Sequence, residues 1–258
     1  MIQSIDFHIK ELEDMKKYPQ KLFYIGDPSL LSKRKISIVG SRRPNSYTKQ
    51  FTDIISKELS RLEICIVSGA AMGVDAIAHK AAGVNNTIAV AGTGLDIRYP
   101  AVNRQLIQDI EVSGLMLSQF EAGVPSQRYN FPLRNEIVVA LGEVLIVTQA
   151  DIKSGTMRSV EYALKMGKKI YVLPHRIGES DGTNMLLSQG KAEIINDVND
   201  FIGLFTNNFI ENSENEVEKY FKTTPLYDDA LVKYPNELFE YELSGKITIQ
   251  DGKVFLRT

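Results

Sequence analysis

Two arginines stand side by side in the segment Gly40-Ser41-Arg42-Arg43-Pro44-Asn45-Ser46-Tyr47. Guanidinium groups donate paired hydrogen bonds to phosphate oxygens, and a glycine ahead of them lets the backbone approach a ligand closely. A second stretch, Gln127-Arg128-Tyr129-Asn130-Phe131-Pro132-Leu133-Arg134-Asn135, interleaves arginines with aromatic rings. That combination offers phosphate contacts and stacking faces together, which is the chemistry single-stranded nucleic acid uses. A third, Asp151-Ile152-Lys153-Ser154-Gly155-Thr156, supplies a lysine, hydroxyls able to cap a helix, and a glycine that bares backbone amides to an anion. Between them lie a small-residue run, Ser68-Gly69-Ala70-Ala71-Met72-Gly73-Val74-Asp75, and Gly92-Thr93-Gly94-Leu95-Asp96 with Arg98-Tyr99-Pro100 and Asn103-Arg104 after it.

Other chemistries find less support. No G-x-G-x-x-G fingerprint follows the first long apolar run, and no G-x-x-x-x-G-K-[ST] occurs anywhere. Asp75 and His79 stand one helical turn apart, but no third metal ligand accompanies them, so an ion pair or cap is the expected role. Ser41 and Ser68 lack any recognisable His–acid partnership. Cys65 sits inside an apolar run and reads as a small core residue; as the chain's one cysteine it excludes internal disulfides and Cys-cluster zinc sites. Asp96, Glu121 and Asp151 fall near strand ends, where they are expected to orient arginines or cap helices. No catalytic group, metal or cofactor is expected.

The elements that must position these residues follow a regular pattern. Apolar runs at 35–40, 64–69, 87–92, 115–120, 144–149 and 169–174 alternate with segments of helical periodicity, such as that from Thr48 with Phe51, Ile54, Ile55, Leu59 and Leu62 on one face. Runs apolar on both parities suit strands buried on both faces of a parallel sheet, and their alternation with helices implies a doubly wound α/β fold. In such a sheet ligands bind beyond the carboxyl ends of the strands, where the three basic stretches fall. Residues 1–32, where charge alternates with apolar residues, read as a polar leader containing one short β segment at 21–27. Residues 33–205 form the sheet domain, and 206–216 read as a linker. From Val217, an apolar helix face (Val217, Tyr220, Phe221), helices opened by Pro225 and Pro235, and a hairpin signal at Asp251-Gly252 make a winged-helix pattern over 217–258.

Composition narrows the function classes. The 258 residues carry 30 Lys and Arg against 32 Asp and Glu, a net charge of −2, which excludes a protein that binds nucleic acid through bulk positive charge. The balance is uneven: residues 33–200 sum to +3 and residues 214–258 to −3. The third helix of the C-terminal unit carries Glu237, Glu240 and Glu242 with no Lys or Arg, so phosphate repulsion opposes a groove-reading role and a protein-interaction or dimer-supporting role is expected. No apolar run reaches the roughly 18 residues of a membrane span, and no signal-peptide core is present, so a cytoplasmic protein is expected.

Six of these motifs occur in one order along residues 35–195: Val39–Pro44, Ser68–His79, Gly92–Asp96 with Tyr99-Pro100, Phe131–Asn135, Lys153–Thr156 and Asp181-Gly182-Thr183-Asn184. Together they resemble the DprA (DNA processing protein A, or Smf) family. The resemblance implies an extended Rossmann-like sheet domain with a small C-terminal winged-helix-like domain. It also implies a non-enzymatic protein that binds single-stranded DNA, protects DNA entering during natural transformation, loads RecA and forms a homodimer through the Rossmann domain. Carried over residue by residue, Gly40, Ser41, Arg42 and Arg43, with Lys153, Ser154, Gly155 and Thr156, would hold phosphates. Arg128 would add a cation, Phe131 would lie beside a base, and Arg134 and Asn135 would floor the site. Two positions depart from the family pattern: Glu136 stands where another arginine is common, and Pro174-His175 where Pro-Gly is common. The roughly 30 residues ahead of the sheet are too few for the helical domain many members carry. The competing class is a nucleotide-hydrolysing enzyme of the lysine-decarboxylase-like (LOG) family, whose P-G-G-x-G-T-x-x-E signature puts an acid three residues after Thr. Here Ser159 holds that place and the next acid is Glu161.

Overall fold

A computed structural model describes residues 1–211 and 216–257. The elements run in the order β1 (Gln3–Ser4), β2 (Phe23–Gly26), β3 (Lys35–Val39), α1 (Ser46–Arg61), β4 (Cys65–Ser68), α2 (Val74–Ala82), β5 (Thr87–Val90), α3 (Arg104–Ser113) and β6 (Leu115–Ser118). They continue with α4 (Asn130–Leu141), β7 (Leu145–Val147), α5 (Gly155–Lys165), β8 (Ile170–Val172), α6 (Asp181–Ser188), β9 (Glu193–Ile194) and α7 (Val198–Glu211). The chain closes with α8 (Glu216–Lys222), α9 (Tyr227–Lys233), α10 (Pro235–Leu243), β10 (Ile247–Gln250) and β11 (Lys253–Leu256). Two units separate at Ile202/Gly203.

All six expected strands form, each ending one or two residues short of its apolar run. The first unit is built on a nine-stranded sheet of order β1-β2-β6-β5-β4-β3-β7-β8-β9. The pairs from β6 through β9 are parallel, whereas β1 with β2 and β2 with β6 are antiparallel. Alternate strand residues serve opposite faces. Ile88, Val90, Leu115 and Leu117 join a core with α4 and α5 side chains, while Ala89, Ala91 and Met116 join Leu106, Ile107 and Ile110 of α3. Burial on both faces explains why these strands read as continuous apolar runs. The chain moves outward from β3 to β6, then returns to lay β7 beside β3, so the order reverses between β3 and β7. That reversal is the switch point at which open α/β sheets leave a crevice.

Three expectations need correction. Residues 1–32 are no leader outside the sheet: Ile9, Leu12, Met15, Leu22, Leu30 and Leu31 are buried in the α4/α5 core, and Phe23–Gly26 pairs with β6. The apolar residues at 9, 12 and 15 recur every third position among charges, a spacing that composition hides. The expected linker 206–216 begins inside α7, which continues to Glu211; residues 212–215 lie outside the described residues. On α1 the buried face is Thr48, Thr52, Ile55, Ser56 and Leu59, with Phe51, Ile54 and Leu62 only half-buried. Two of the buried hydroxyls bond internally, Thr52 to the Thr148 hydroxyl at 3.1 Å and Ser56 to the Thr52 carbonyl at 2.7 Å, whereas Thr48 Oγ1 is buried with no hydrogen-bond partner.

The second unit has its own core of Val217, Phe221, Ala230, Leu238, Tyr241, Ile247 and Val254. Three helices precede a two-stranded antiparallel hairpin, and Pro235 opens α10 as its first-turn proline. Asp251 and Gly252 form the two-residue turn with φ of 49° and 71°, the left-handed pair that matches strand twist.

Candidate nucleic-acid interface

A cleft of about 850 Å³ opens at the β3/β7 switch point. It is lined by Gly40, Ser41, Arg42 and Arg43 after β3, by Arg128, Phe131, Arg134 and Asn135 before and within α4, and by Ser154, Gly155 and Thr156 at the start of α5. Of the residues expected to form the site, only Lys153 is not among the lining ones; it is exposed one residue before Ser154. Met72, Asp75, Asp151, Arg158 and Ser159 also line the cleft.

The wall after β3 is fixed by backbone and hydroxyl contacts. Thr156 Oγ1 donates to the Gly40 carbonyl at 3.0 Å, tying the two switch-point loops together. The Arg43 amide donates to Ser41 Oγ at 3.1 Å, and the Asn45 side chain caps α1 by accepting the Thr48 amide at 2.8 Å. Arg42 and Arg43 remain exposed, with no ion pair among the described residues. Opposite them α5 begins at Ser154 without a side-chain cap or a first-turn acid, so its first amides face the cleft as donors for an anion. Ser154 Oγ is buried with no hydrogen-bond partner.

The floor is a buried guanidinium. Arg134 is 5% exposed; its Nη1 donates to the Gly69 carbonyl and, at 2.6 Å, to the Val90 carbonyl, and its Nε donates to Asn135 Oδ1 at 3.1 Å. These carbonyls sit at the ends of β4 and β5, so the arginine collects acceptors the parallel strands leave open. Burial lowers the Arg134 pKa, with Asp75 opposing the shift and Arg42 adding to it. Burial likewise raises Asp75 above the usual carboxylate range, against the pull of Arg134 and the amides it accepts. A side chain at Gly69 would collide with the Arg134 guanidinium, which accounts for the glycine there.

Phe131 lies half-buried over this floor. Its ring centroid is 5.5 Å from Arg42 Cζ, 6.0 Å from Arg134 Cζ and 6.0 Å from the Tyr99 centroid. A Cβ at Gly92 would stand 2.9 Å from Phe131 Cδ1 and 3.0 Å from Cε1, so the bare backbone of Gly92 is the seat of the ring. A cationic rim, an aromatic face, helix-end amides and an unpartnered hydroxyl thus converge on one concavity, which can hold phosphate and a planar base together.

Among the described residues no group of three or more potential metal ligands comes together, at Asp75 and His79 or elsewhere. Asp75 and His79 instead clamp the turn after β4, where Ala70 has φ 55°. Asp75 Oδ2 accepts the Gly69 and Ala71 amides at 3.2 and 3.3 Å, and His79 Nε2 accepts the Ala70 amide at 3.3 Å. Because the Thr87 hydroxyl donates to the Ile66 carbonyl, His79 Nδ1 is the protonated nitrogen that donates to Thr87 at 2.6 Å. Burial brings His79 down to about 3, so it is neutral at physiological pH. Cys65 is buried in β4 and its thiol is pushed up to about 12 by burial.

The two departures from the motif pattern find places away from the cleft. Glu136 points from α4 toward the N-terminal segment and accepts the Lys16 amide at 2.9 Å. His175 braces the end of β7, its Nε2 donating to the Thr148 carbonyl at 2.8 Å. Arg98, one of the cations after β5, is held bidentately by Glu111 and does not line the cleft. Asp96 accepts the Gly123 amide at 2.9 Å, Glu121 pairs with Lys21, and Asp151 is exposed along the cleft.

A sequence model of the DNA recombination-mediator protein A family matches residues 4–206, spanning every motif around the cleft. The chain belongs to this family. DNA processing protein DprA of Streptococcus pneumoniae is 36% identical over 201 residues, which is 76% of this chain and 70% of that protein. DprA of Bacillus subtilis is also 36% identical, over 73% of this chain and 64% of that protein, and the Smf protein of Synechocystis is 40% identical over 62% of this chain and 41% of that protein. The chain therefore spans about two-fifths to seven-tenths of these relatives. The solved structure of DNA processing protein A from Helicobacter pylori, described for its unique single-stranded DNA binding mode, superposes with a TM-score of 0.79 at 40% identity, over 81% of this chain and 97% of that one. The S. pneumoniae DprA crystal structure gives 0.73 at 34% identity, over 79% and 73% of the two chains. The DprA fold is thus shared by the α/β unit. No helix among the described residues is long and apolar enough to cross a membrane.

Proposed function

We propose that this DprA-family chain binds single-stranded DNA without regard to sequence, in the cleft at the β3/β7 switch point. The observation that carries the reading is the convergence of exposed Arg42, Arg43 and Arg128, the Phe131 ring and the uncapped α5 N-terminus on one concavity. Phosphates contact the Gly40–Arg43 loop and the Lys153–Thr156 loop, a base lies on Phe131, and Arg134 and Asn135 support it from below. The single-stranded DNA binding described for the H. pylori relative supports this reading. A duplex presents no unstacked base to Phe131, so it gains only the phosphate term.

The protein acts in this reading as a binder and not an enzyme. The place of the acid in the LOG signature is taken by Ser159, buried in the cleft wall, and Glu161 is turned outward in an ion pair with Arg158 at 2.9 Å. Homodimerisation through the Rossmann-like unit, RecA loading, protection of incoming DNA in natural transformation and a cytoplasmic location rest on the family resemblance. Competition of labelled oligo-dT with unlabelled duplex tests the reading: single-strand binding that survives excess duplex supports it, and equal affinity for the two forms overturns it.

A further inference from the structure

The C-terminal unit carries a surface that the DNA-binding cleft does not use. On α10 the inward side is Leu238 and Tyr241, both buried in the unit's core. Phe239 and Leu243, one turn apart on the outward side, are 51% and 89% exposed. At 100° per residue Glu240 borders this apolar pair on one flank and Glu242 on the other, while Glu237 lies beyond Glu240, half-buried toward Tyr241. The helix has no Lys or Arg, and no ion pair among the described residues engages its three acids. Two of the unit's lysines are held over aromatic rings, Lys233 over Tyr220 at 4.4 Å and Lys246 over Tyr241 at 4.9 Å.

From this we infer that α10 is a docking surface for a partner protein that presents a basic amphipathic helix, with apolar side chains covering Phe239 and Leu243 and Lys or Arg meeting the flanking carboxylates. Charge selects this occupant. Nucleic acid and anionic lipid are repelled by the three carboxylates, and a second copy of α10 would set the same acids against each other. An apolar helix ridge bordered by one sign of charge is the counterpart of helix-in-groove or helix-on-helix recognition, where apolar anchors supply affinity and the charges set partner choice. The inference stands independently of the cleft, because this occupant is cationic and the cleft's ligand is anionic.

The test uses the full chain and three labelled synthetic peptides of equal length: a Leu/Lys amphipathic helix, the same helix with Glu for Lys, and a Lys/Ser peptide without an apolar face. The Leu/Lys peptide is expected to bind and to shift the backbone amide resonances of residues 236–243, while the other two bind at least tenfold more weakly. Phe239→Ser with Leu243→Ser, both at exposed positions, is expected to weaken the Leu/Lys peptide at least tenfold. The same double variant leaves oligo-dT binding and thermal midpoint unchanged. Equal binding of the Leu/Lys and Lys/Ser peptides, resonance shifts centred elsewhere, or wild-type affinity in the double variant would each overturn the assignment. So would a wild-type dimer that dissociates in the double variant, which would make a second copy the occupant.

Discussion

Gly92→Ala isolates the seat of the aromatic ring. The added methyl would stand 2.9 Å from Phe131 Cδ1 and 3.0 Å from Cε1, whereas carbon atoms rest about 3.5–4.0 Å apart, so something must move by roughly half to one ångström. Arg134 cannot yield, because its Nη1 is bonded to the Gly69 and Val90 carbonyls. The Phe131 ring, half-buried and open to the cleft, is the part that shifts. Overpacking against a ring with room on one side costs about 1 kcal/mol, a fall in thermal midpoint of about 2–4 °C. The binding effect is larger if the ring carries a base: displacement forfeits up to the stacking energy of about 1–3 kcal/mol, roughly 5- to 150-fold in Kd. Fluorescence anisotropy with oligo-dT on wild type, Gly92→Ala, Phe131→Ala and the double variant forms a complete cycle. The double variant should bind no more weakly than Phe131→Ala alone, and Gly92→Ala should lose its stability cost in that background. Fully additive losses in binding would refute the argument that Gly92 acts through the ring.

Three further outcomes follow from the geometry. Gly69→Ala drives a methyl into the buried Arg134 guanidinium and should destabilise the α/β unit by about 2–4 kcal/mol in urea unfolding, well above a surface substitution. Glu136→Ala should leave oligo-dT affinity within about twofold, since the carboxylate serves Lys16, yet lower stability by about 1 kcal/mol through the stranded amide. His79 sets a pH dependence. Its folded-state value of about 3 lies below that of the unfolded chain, so the unfolded state binds more protons between the two and stability falls as pH drops below about 6.5. Replacing it with glutamine should remove about one proton, or ~1.4 kcal/mol per pH unit, from the slope of unfolding free energy between pH 6 and 4; an unchanged slope would show that His79 is not buried as described.

The sheet was legible because its strands are buried on both faces, as Ile88 and Ala89 on β5 illustrate, and continuous apolar runs need no register information to be seen. The N-terminal contribution was not, because Ile9, Leu12 and Met15 are separated by charged residues and acquire meaning only against α4 and α5. The C-terminal half of α7 hid behind its Thr, Asn and Glu content, which reads as loop without a packing partner. The candidate site was visible as chemistry after strands: the Arg42-Arg43 pair, the arginine–aromatic run and the Ser-Gly-Thr turn meet where the strand order reverses. What spacing could not show is how side chains settle their surplus hydrogen bonds. Arg134 turning down onto two strand-end carbonyls and Glu136 turning away to Lys16 depend on partners distant in sequence, and Asp75 and His79 serve three nearby amides only because the turn after β4 folds back over α2. The Gly92–Phe131 fit is of the same kind, since a glycine's role as a seat becomes apparent only when the ring above it is in place.

The central claim, a phosphate-binding cleft for single strands, is tested most directly by oligo-dT affinity measured across salt concentration for wild type and Arg43→Ala. Each phosphate neutralised on a single strand contributes about −0.7 to the log–log slope. Wild type should show a steep slope, and Arg43→Ala should bind more weakly with a slope shallower by about 0.7 for one lost contact. A wild-type protein whose oligo-dT affinity is indifferent to salt, or a variant with unchanged affinity and slope, would contradict the account.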